Sequence, residues 1–220
     1  DLEMSFVEQE DVFKVVEKLM VNLFKKFSAK KILYEKFPRI TFKEAMLKYG
    51  TDKPDLRNSL VIDDITKVFN RDDVKFDIFK KLVKSGAIVR AIKTKNTKDK
   101  PRSFFDNIDK WAKQQGASGL AYFTIKKNQS IEATGPIGKF FGEGSLEEIM
   151  KICSAEIGDS IFLACGKESE INRILSIARN KIAEDLNLIN KDTFAFCWIV
   201  DYPMFELDEK SKKIIFSHNP

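Results

Sequence analysis

A single histidine, His218, occurs in the 220 residues. Its scarcity narrows the chemistry: a metal site built from several histidines is excluded, and any Ser-His-Asp or Cys-His mechanism has to recruit this one imidazole. Cysteine is nearly as sparse. Cys153, Cys165 and Cys197 sit in the apolar stretches "IMKIC", "IFLAC" and "FAFCW", without the close spacing of a zinc site, and an odd count argues against a full disulfide framework. Buried, reduced thiols are the reading, which suits a reducing compartment. No window approaches the roughly 18 consecutive apolar residues of a membrane span. The chain opens at Asp1 with neither an initiator Met nor a basic-then-apolar leader, so no export signal is visible. The expectation is a cytoplasmic protein with no membrane partner, whose ends have been cut. Internal repeats and low-complexity linkers are missing too.

What is present is the composition of a folded protein, 43% hydrophobic and 32% charged, enough to bury a sizeable core in one large domain or two small ones. The net charge of +5 says little by itself; its distribution says more. Nine basic residues and one acid fall between Lys80 and Arg102, a window of +8, leaving -3 for the rest. Clustered charge of this kind meets phosphates, or forms a solvated Lys-rich loop; both readings stand.

Regular structure is expected nearly throughout. Val12, Val16, Leu19, Leu23 and Phe27 recur at helical spacing and predict an amphipathic helix over 9–27, docked by that stripe. Thr41 and Glu44 form a T-x-x-E capping box for a short helix that Gly50 stops, and Pro54 turns "TDKPDLR" away from helical geometry. Another short helix follows Asp63. "AIVRAIK" suits a strand. Ser103 with Asp106 caps a helix carrying Phe104, Ile108 and Trp111, "GLAYFTIKK" and "SIEATG" read as a hairpin, Ser145 and Glu148 make a second capping box, "SIFLAC" is a strand, and 168–187 is a long helix. The mixed order argues for a two-layer α+β module. At the end, "FAFCWIV" reads as a buried strand and "KIIFSHNP" as its partner, returning across "LDEKSKK".

The flanks of that module carry a resemblance. "DLEMSF" resembles the end of the second class II signature of aspartyl-tRNA synthetases. "FPRITFKEAMLKYGTDKPDLR" is similar to the segment that leads into an inserted domain in the bacterial members, and "WIVDYPMFE" with "FSHNP" to the strands where the catalytic domain resumes. The insertion resembles the GAD domain, shared with the B subunit of the glutamyl/aspartyl-tRNA amidotransferase. All four blocks stand in the family's order, so the resemblance covers essentially the whole chain. It implies a partial class II catalytic domain over 1–76, a two-layer GAD-type insertion with a mixed or antiparallel sheet over 77–190, and catalytic domain again over 191–220.

The implied reaction has two steps: aspartate attacks the α-phosphate of ATP, and the aspartyl group then passes to the terminal ribose of tRNA, with magnesium and arginines stabilising phosphate charge. By the resemblance, Asp1 faces the substrate ammonium, Glu3 is a second acid on the same side of a strand, and His218 donates to a carboxylate of aspartate. Asn219 stands where many relatives have a second histidine. Lys53, Asp55 and Arg57 are site-edge candidates, though a solvated or internally paired turn explains them equally. Lys93, Lys95, Lys98, Lys100 and Arg102 are candidate tRNA contacts. No catalytic or metal-ligating residue is assigned. The first signature, the arginine-bearing part of the second, the Gly-rich third and any anticodon-binding barrel are absent, so these residues alone are expected to make no adenylate and to hold neither ATP nor magnesium, while the whole enzyme is expected to be a homodimer. The alternative is a stand-alone tRNA-contacting or structural GAD module, as in an amidotransferase B subunit.

Overall fold

Apolar residues crowd 88–94, 121–127 and 160–166, and in the computed structural model, which describes residues 2–208 and 211–218, these stretches form the middle of one antiparallel sheet. The chain runs through helix α1 (Gln9–Phe27), strands β1 (Lys31–Ile32) and β2 (Arg39–Thr41), helix α2 (Phe42–Tyr49), β3 (Ile62–Asp64), a 3-10 turn (Thr66–Asn70), α3 (Asp77–Lys84) and β4 (Ile88–Thr94). It continues with α4 (Arg102–Gln114), the hairpin β5 (Ala121–Lys127) and β6 (Ile131–Thr134), a second 3-10 turn (Gly138–Phe140), α5 (Glu143–Ile152), β7 (Ser160–Gly166) and α6 (Glu168–Asp185). Four short strands follow: β8 (Thr193–Phe194), β9 (Trp198–Val200), β10 (Phe205–Leu207) and β11 (Ile214–Phe216).

The main sheet has the order β3-β4-β7-β5-β6, with every neighbour antiparallel. Successive side chains alternate between its faces, and both faces are covered. Ile92, Tyr122 and Phe162 meet Phe105, Ile108 and Ala112 of α4 and Leu175, Ala178 and Ile182 of α6. Val89, Phe123, Ile125, Ile161 and Leu163 meet Val68, Phe69, Leu146 and Ile149 on the other side. A sheet buried on both faces explains why its strands read as unbroken apolar runs. The α+β class holds, but the expected two layers become three, because the 3-10 turn, α3 and α5 form a second helical layer. β3 also belongs to the sheet, so its core reaches back across the boundary placed at residue 77. No helix among the described residues is long and apolar enough to cross a membrane.

Four local expectations are corrected. The stripe Val12, Val16, Leu19, Leu23, Phe27 does not dock α1: Leu19 is 58% and Phe27 74% exposed. The docked stripe is Phe13, Glu17, Phe24, where Phe13 stacks on Trp198 at 4.3 Å, Phe24 meets Phe194 and Phe196 edge-on, and Glu17 accepts a hydrogen bond from the Trp198 indole at 2.9 Å. Aromatic partners on 194–198 select that face. Helix α4 starts from Pro101 rather than from a Ser103 cap.

Nor does Ser145 cap α5, which begins one turn earlier, after Gly142. Its cap comes from far along the chain: Asp73 Oδ2 accepts the Ser145 N–H at 2.6 Å while Arg71 Nε donates to Asp73 Oδ1 at 2.8 Å and Arg71 Nη1 reaches Glu148 at 3.0 Å. Burial alone would raise the Asp73 pKa, but these donors outweigh it and hold the carboxyl below its ordinary value. A carboxyl lowered in the fold stabilises above its unfolded pKa, near 4, and that contribution is lost as pH falls through the folded value. Asp73→Asn is therefore expected to cost about 1 kcal/mol at pH 7, with the gap to wild type closing in acid; urea titrations at the two pH values check it, and a constant gap would remove the charge from the explanation.

The last correction concerns the C-terminal strands. β9 pairs in parallel with β2 (Arg39↔Trp198, Thr41↔Val200), and β11 takes β10 as its antiparallel partner (Phe205↔Phe216) instead of "FAFCWIV". Asp201 at φ 57 and Pro203 break the chain between β9 and β10, so the hairpin forms beyond the break.

Candidate functional site

Thr41 Oγ1 accepts the Glu44 N–H at 3.1 Å and fixes the start of α2. The other half of the capping box is not made: the Glu44 carboxylate goes forward to Lys48 Nζ at 2.5 Å. Gly50, at φ 68, ends the helix in the left-handed conformation, and the chain then lays Asp52 beside the segment after β9. Lys53 Nζ donates to Asp52 Oδ2 at 2.8 Å, and the Tyr202 hydroxyl reaches the same oxygen at 3.4 Å. The Lys53 ammonium is the main reason why the Asp52 carboxyl lies below the usual range.

His218 joins this group from the end of the β10–β11 hairpin. Its ring lies 4.6 Å from that of Tyr202 and 6.3 Å from Phe42, and its Nδ1 is 2.9 Å from Ser217 Oγ and 3.3 Å from the Pro203 carbonyl. With Nδ1 engaged by these oxygens, Nε2 is the nitrogen left to meet a ligand. A hollow of about 640 Å³ adjoins Phe42, lined also by Lys43, Asp201 and Pro203. The hollow itself is lined by the cations Lys43 and Arg90 and the acids Glu168 and Asp201, and His218 approaches it only through Phe42; charges of both signs around one opening suit a small zwitterion.

The residues expected at the site divide. Lys53 and His218 come together. Asp55 and Arg57 do not join them: Arg57 Nε and Nη2 grip Asp55 Oδ1 and Oδ2 at 2.9 and 2.7 Å, and the Arg57 N–H closes the turn on Oδ1. The Arg57 guanidinium is the chief cause of the lowered Asp55 pKa; this pair is internal to the turn. Glu3 is exposed and residues 2–4 form no strand, so the shared strand face expected for it is not made. Asp1 and Asn219 lie outside the described residues. Lys93 donates to the Ser154 carbonyl at 2.9 Å and Arg102 to Asp106 at 3.2 Å, while Lys95, Lys98 and Lys100 are exposed.

Asp52 and Tyr202 escaped sequence reasoning because neither carries a local signal; their pairing spans 150 positions. Arg90 did carry one, as a cation in the middle of the apolar run "AIVRAIK". It is buried and donates to Glu168 Oε1 at 2.7 Å and to Asn172 Oδ1, so the basic window presents less surface charge than its count suggests. The three thiols are free, and burial pushes Cys153 up to about 12 and Cys165 to about 11, which leaves both poor nucleophiles at neutral pH. Among the described residues, no group of three or more His, Cys, Asp or Glu side chains converges as a metal site would require.

Comparison with known proteins places this geometry in context. The profile of the family described as tRNA synthetases class II (D, K and N) matches residues 1–220. An aspartate-tRNA(Asp/Asn) ligase of Pelagibacter ubique is 72% identical over 220 residues, covering all of this chain and 37% of the relative. Ligases of the same name from Ehrlichia chaffeensis and Methylorubrum extorquens are 50% and 46% identical, again over the whole chain and 36% and 37% of their own lengths. The chain thus spans little more than a third of the curated relatives it matches.

Proposed function

The chain belongs to the class II tRNA synthetases of the D, K and N group, and on that footing we propose that it is part of an aspartate-tRNA ligase. The observation that carries the proposal is the 72% identity, sustained over all 220 residues, to a ligase of that name. In the proposed reaction a carboxylate oxygen of aspartate attacks the α-phosphorus of ATP and pyrophosphate leaves. A hydroxyl of the terminal ribose of tRNA then attacks the activated carbonyl and AMP leaves. Because the relatives are named for both acceptors, we infer that tRNA(Asp) and tRNA(Asn) are both charged with aspartate.

Within this reading, Asp1 meets the substrate ammonium, Glu3 is a second acid near the aspartate, and His218, held through Nδ1, presents Nε2 to a carboxylate. Asp52, Lys53 and Tyr202 keep that ring in place. Magnesium, which binds through substrate phosphates and one or two carboxylates, is assigned to no residue of this chain. Residues 77–190 act as a GAD-type insertion, a reading supported by the four strands and four helices they contribute around one sheet, whose core they share with residues 60–74. The homodimer and the cytoplasmic location rest on the family likeness.

The test is aspartate-dependent exchange of pyrophosphate into ATP, and aspartylation of both tRNAs, by the protein that contains these residues. Failure with aspartate, or exchange with lysine or asparagine instead, overturns the assignment. In that protein His218→Ala is expected to lower kcat/KM for aspartate by about 100-fold, the scale of one charged or oriented donor lost from a reacting centre. An unchanged value would take His218 out of the site.

A further inference from the structure

The Lys-rich segment after β4 is fixed more firmly than a solvated loop. Asn96 adopts φ 53 and its N–H donates to Asp159 Oδ1 at 2.9 Å, the Thr94 and Thr97 hydroxyls meet in the interior at 2.8 Å, and the Lys98 N–H donates to the Gly158 carbonyl at 2.9 Å. The backbone is locked while Lys95, Lys98 and Lys100 reach outward, with no ion pair among the described residues. Preorganised cations bind a polyanion without first ordering the chain.

Hollows flank this ridge on both sides. One is bordered by Lys98, Lys100, Arg102 and Lys126 over Thr124, and no acid lines it. The other, of about 550 Å³, is bordered by Lys95 and Lys100, so the cations run from one hollow into the next. Its interior differs. Val61 and Leu188, 39% and 38% exposed, form apolar walls, and Asp63 supplies a half-buried carboxyl whose pKa burial raises, near the Cys153 thiol, Lys93 and Lys48. A slot with apolar walls and one carboxylate, lined also by Ser59, Asn96, Thr97 and Ser154 and opening onto lysines, suits a flat ring that carries hydrogen-bond donors and is joined to phosphates.

We propose that this ridge binds single-stranded RNA, the phosphates following Lys95, Lys98, Lys100 and Lys126 while one unpaired guanine enters the Asp63 hollow. Guanine presents adjacent N1–H and N2–H donors, which one carboxylate accepts together; uracil presents one N–H between two carbonyls, which a carboxylate repels. Duplex RNA keeps its bases stacked and cannot fill the slot. The inference rests on the reading that this protein works on RNA, but its test uses neither ATP nor aspartate.

The experiment is fluorescence anisotropy of the 220-residue chain with labelled heptamers, one all uridine and one with a central guanosine, beside a duplex of equal length. The guanosine heptamer is expected to bind about 10-fold more tightly than the all-uridine strand. With four phosphates neutralised, raising salt from about 50 to 200 mM should weaken binding roughly 50-fold. Lys98→Glu with Lys100→Glu should abolish binding of every strand. Asp63→Asn should bring the guanosine preference below about threefold; should that variant fail to fold, Leu188→Glu, at an exposed wall, should weaken the guanosine strand selectively. Equal affinity for the two heptamers, a duplex bound as tightly as the single strands, or wild-type binding by the double lysine variant overturns the proposal. Displacement by heparin without any guanosine preference would mark a surface for polyanions in general and overturn it too. Failed aspartylation with this binding intact would sink the ligase assignment and leave the RNA site standing.

Discussion

Replacing Arg179 with methionine is expected to cost about 3–5 kcal/mol, a large share of the stability of a domain of this size. Arg179 is 1% exposed on α6, and its guanidinium donates to three backbone carbonyls: Leu60, Asn58 at 2.7 Å and Asp55 at 2.9 Å, with the Tyr49 ring 4.9 Å away. One side chain thus satisfies most of the turn that carries the chain from α2 to β3. Burial lowers its pKa to about 10, so it remains charged at neutral pH. Methionine fills similar volume but leaves the buried Leu60 and Asn58 carbonyls dry and the Asp55 carbonyl with only the Asn58 N–H at 3.4 Å, and each unpartnered buried group costs about 1–3 kcal/mol. Lysine should recover little, since a point ammonium cannot reproduce the planar fork. The readout is the urea midpoint, expected to fall by roughly 1.5–2 M, together with lost amide-exchange protection over residues 55–60. A shift under about 0.5 M would mean that the turn is held by other contacts.

Gly50→Ala carries the second large effect, about 2–4 kcal/mol. Two costs combine. The residue sits at φ 68, where a Cβ is strained by about 1 kcal/mol, and that Cβ would press into the Asn172 carbonyl of α6, with Ser176 Cβ 3.2 Å away. Backbone in a packed helix cannot step aside cheaply, and overpacking of this kind adds about 1–3 kcal/mol. Gly86 is the control: it has φ 95, and nothing lies within 4 Å of the place a Cβ would take, so Gly86→Ala should show the conformational cost alone, about 1 kcal/mol. Equal losses at the two positions would remove the α2–α6 contact from the account. The same contact sets the direction in which the chain leaves α2 toward Asp52 and Tyr202, so Gly50 bears on the site as well as on the core.

Gly50 lies in the stretch "YGTDKPDLR", and Arg179 braces its far end. The charge density of that stretch raised the question of a site, and the fold gives its charged residues different partners. Asp52 accepts from Lys53 and from Tyr202, whose ring lies 4.6 Å from that of His218, while Asp55 and Arg57 close on each other and offer the Asp55 carbonyl to Arg179. Charge pattern alone could not separate the two roles, because a carboxylate paired two residues away and one aimed at a ligand look the same along the chain.

Residues a few positions apart were enough to specify the Thr41 cap and Gly50 stop of α2, the apolar runs that became β4, β5 and β7, the long amphipathic α6, and the ordered motifs that mark the family. Such signals are local because capping bonds, turn dihedrals and the periods of helix and strand are set within one or two turns of chain. Contacts between distant parts of the chain set which face of α1 docks, the cap that Asp73 gives α5 from 72 positions away, the parallel pairing of β9 with β2, and the burial of Arg90 and Arg179. Each of those outcomes is a choice among partners of similar local quality, settled by long-range contacts: aromatic stacking for α1, and the pairing of buried carbonyls, carboxylates and guanidinium groups for α5 and α6 once the core has closed.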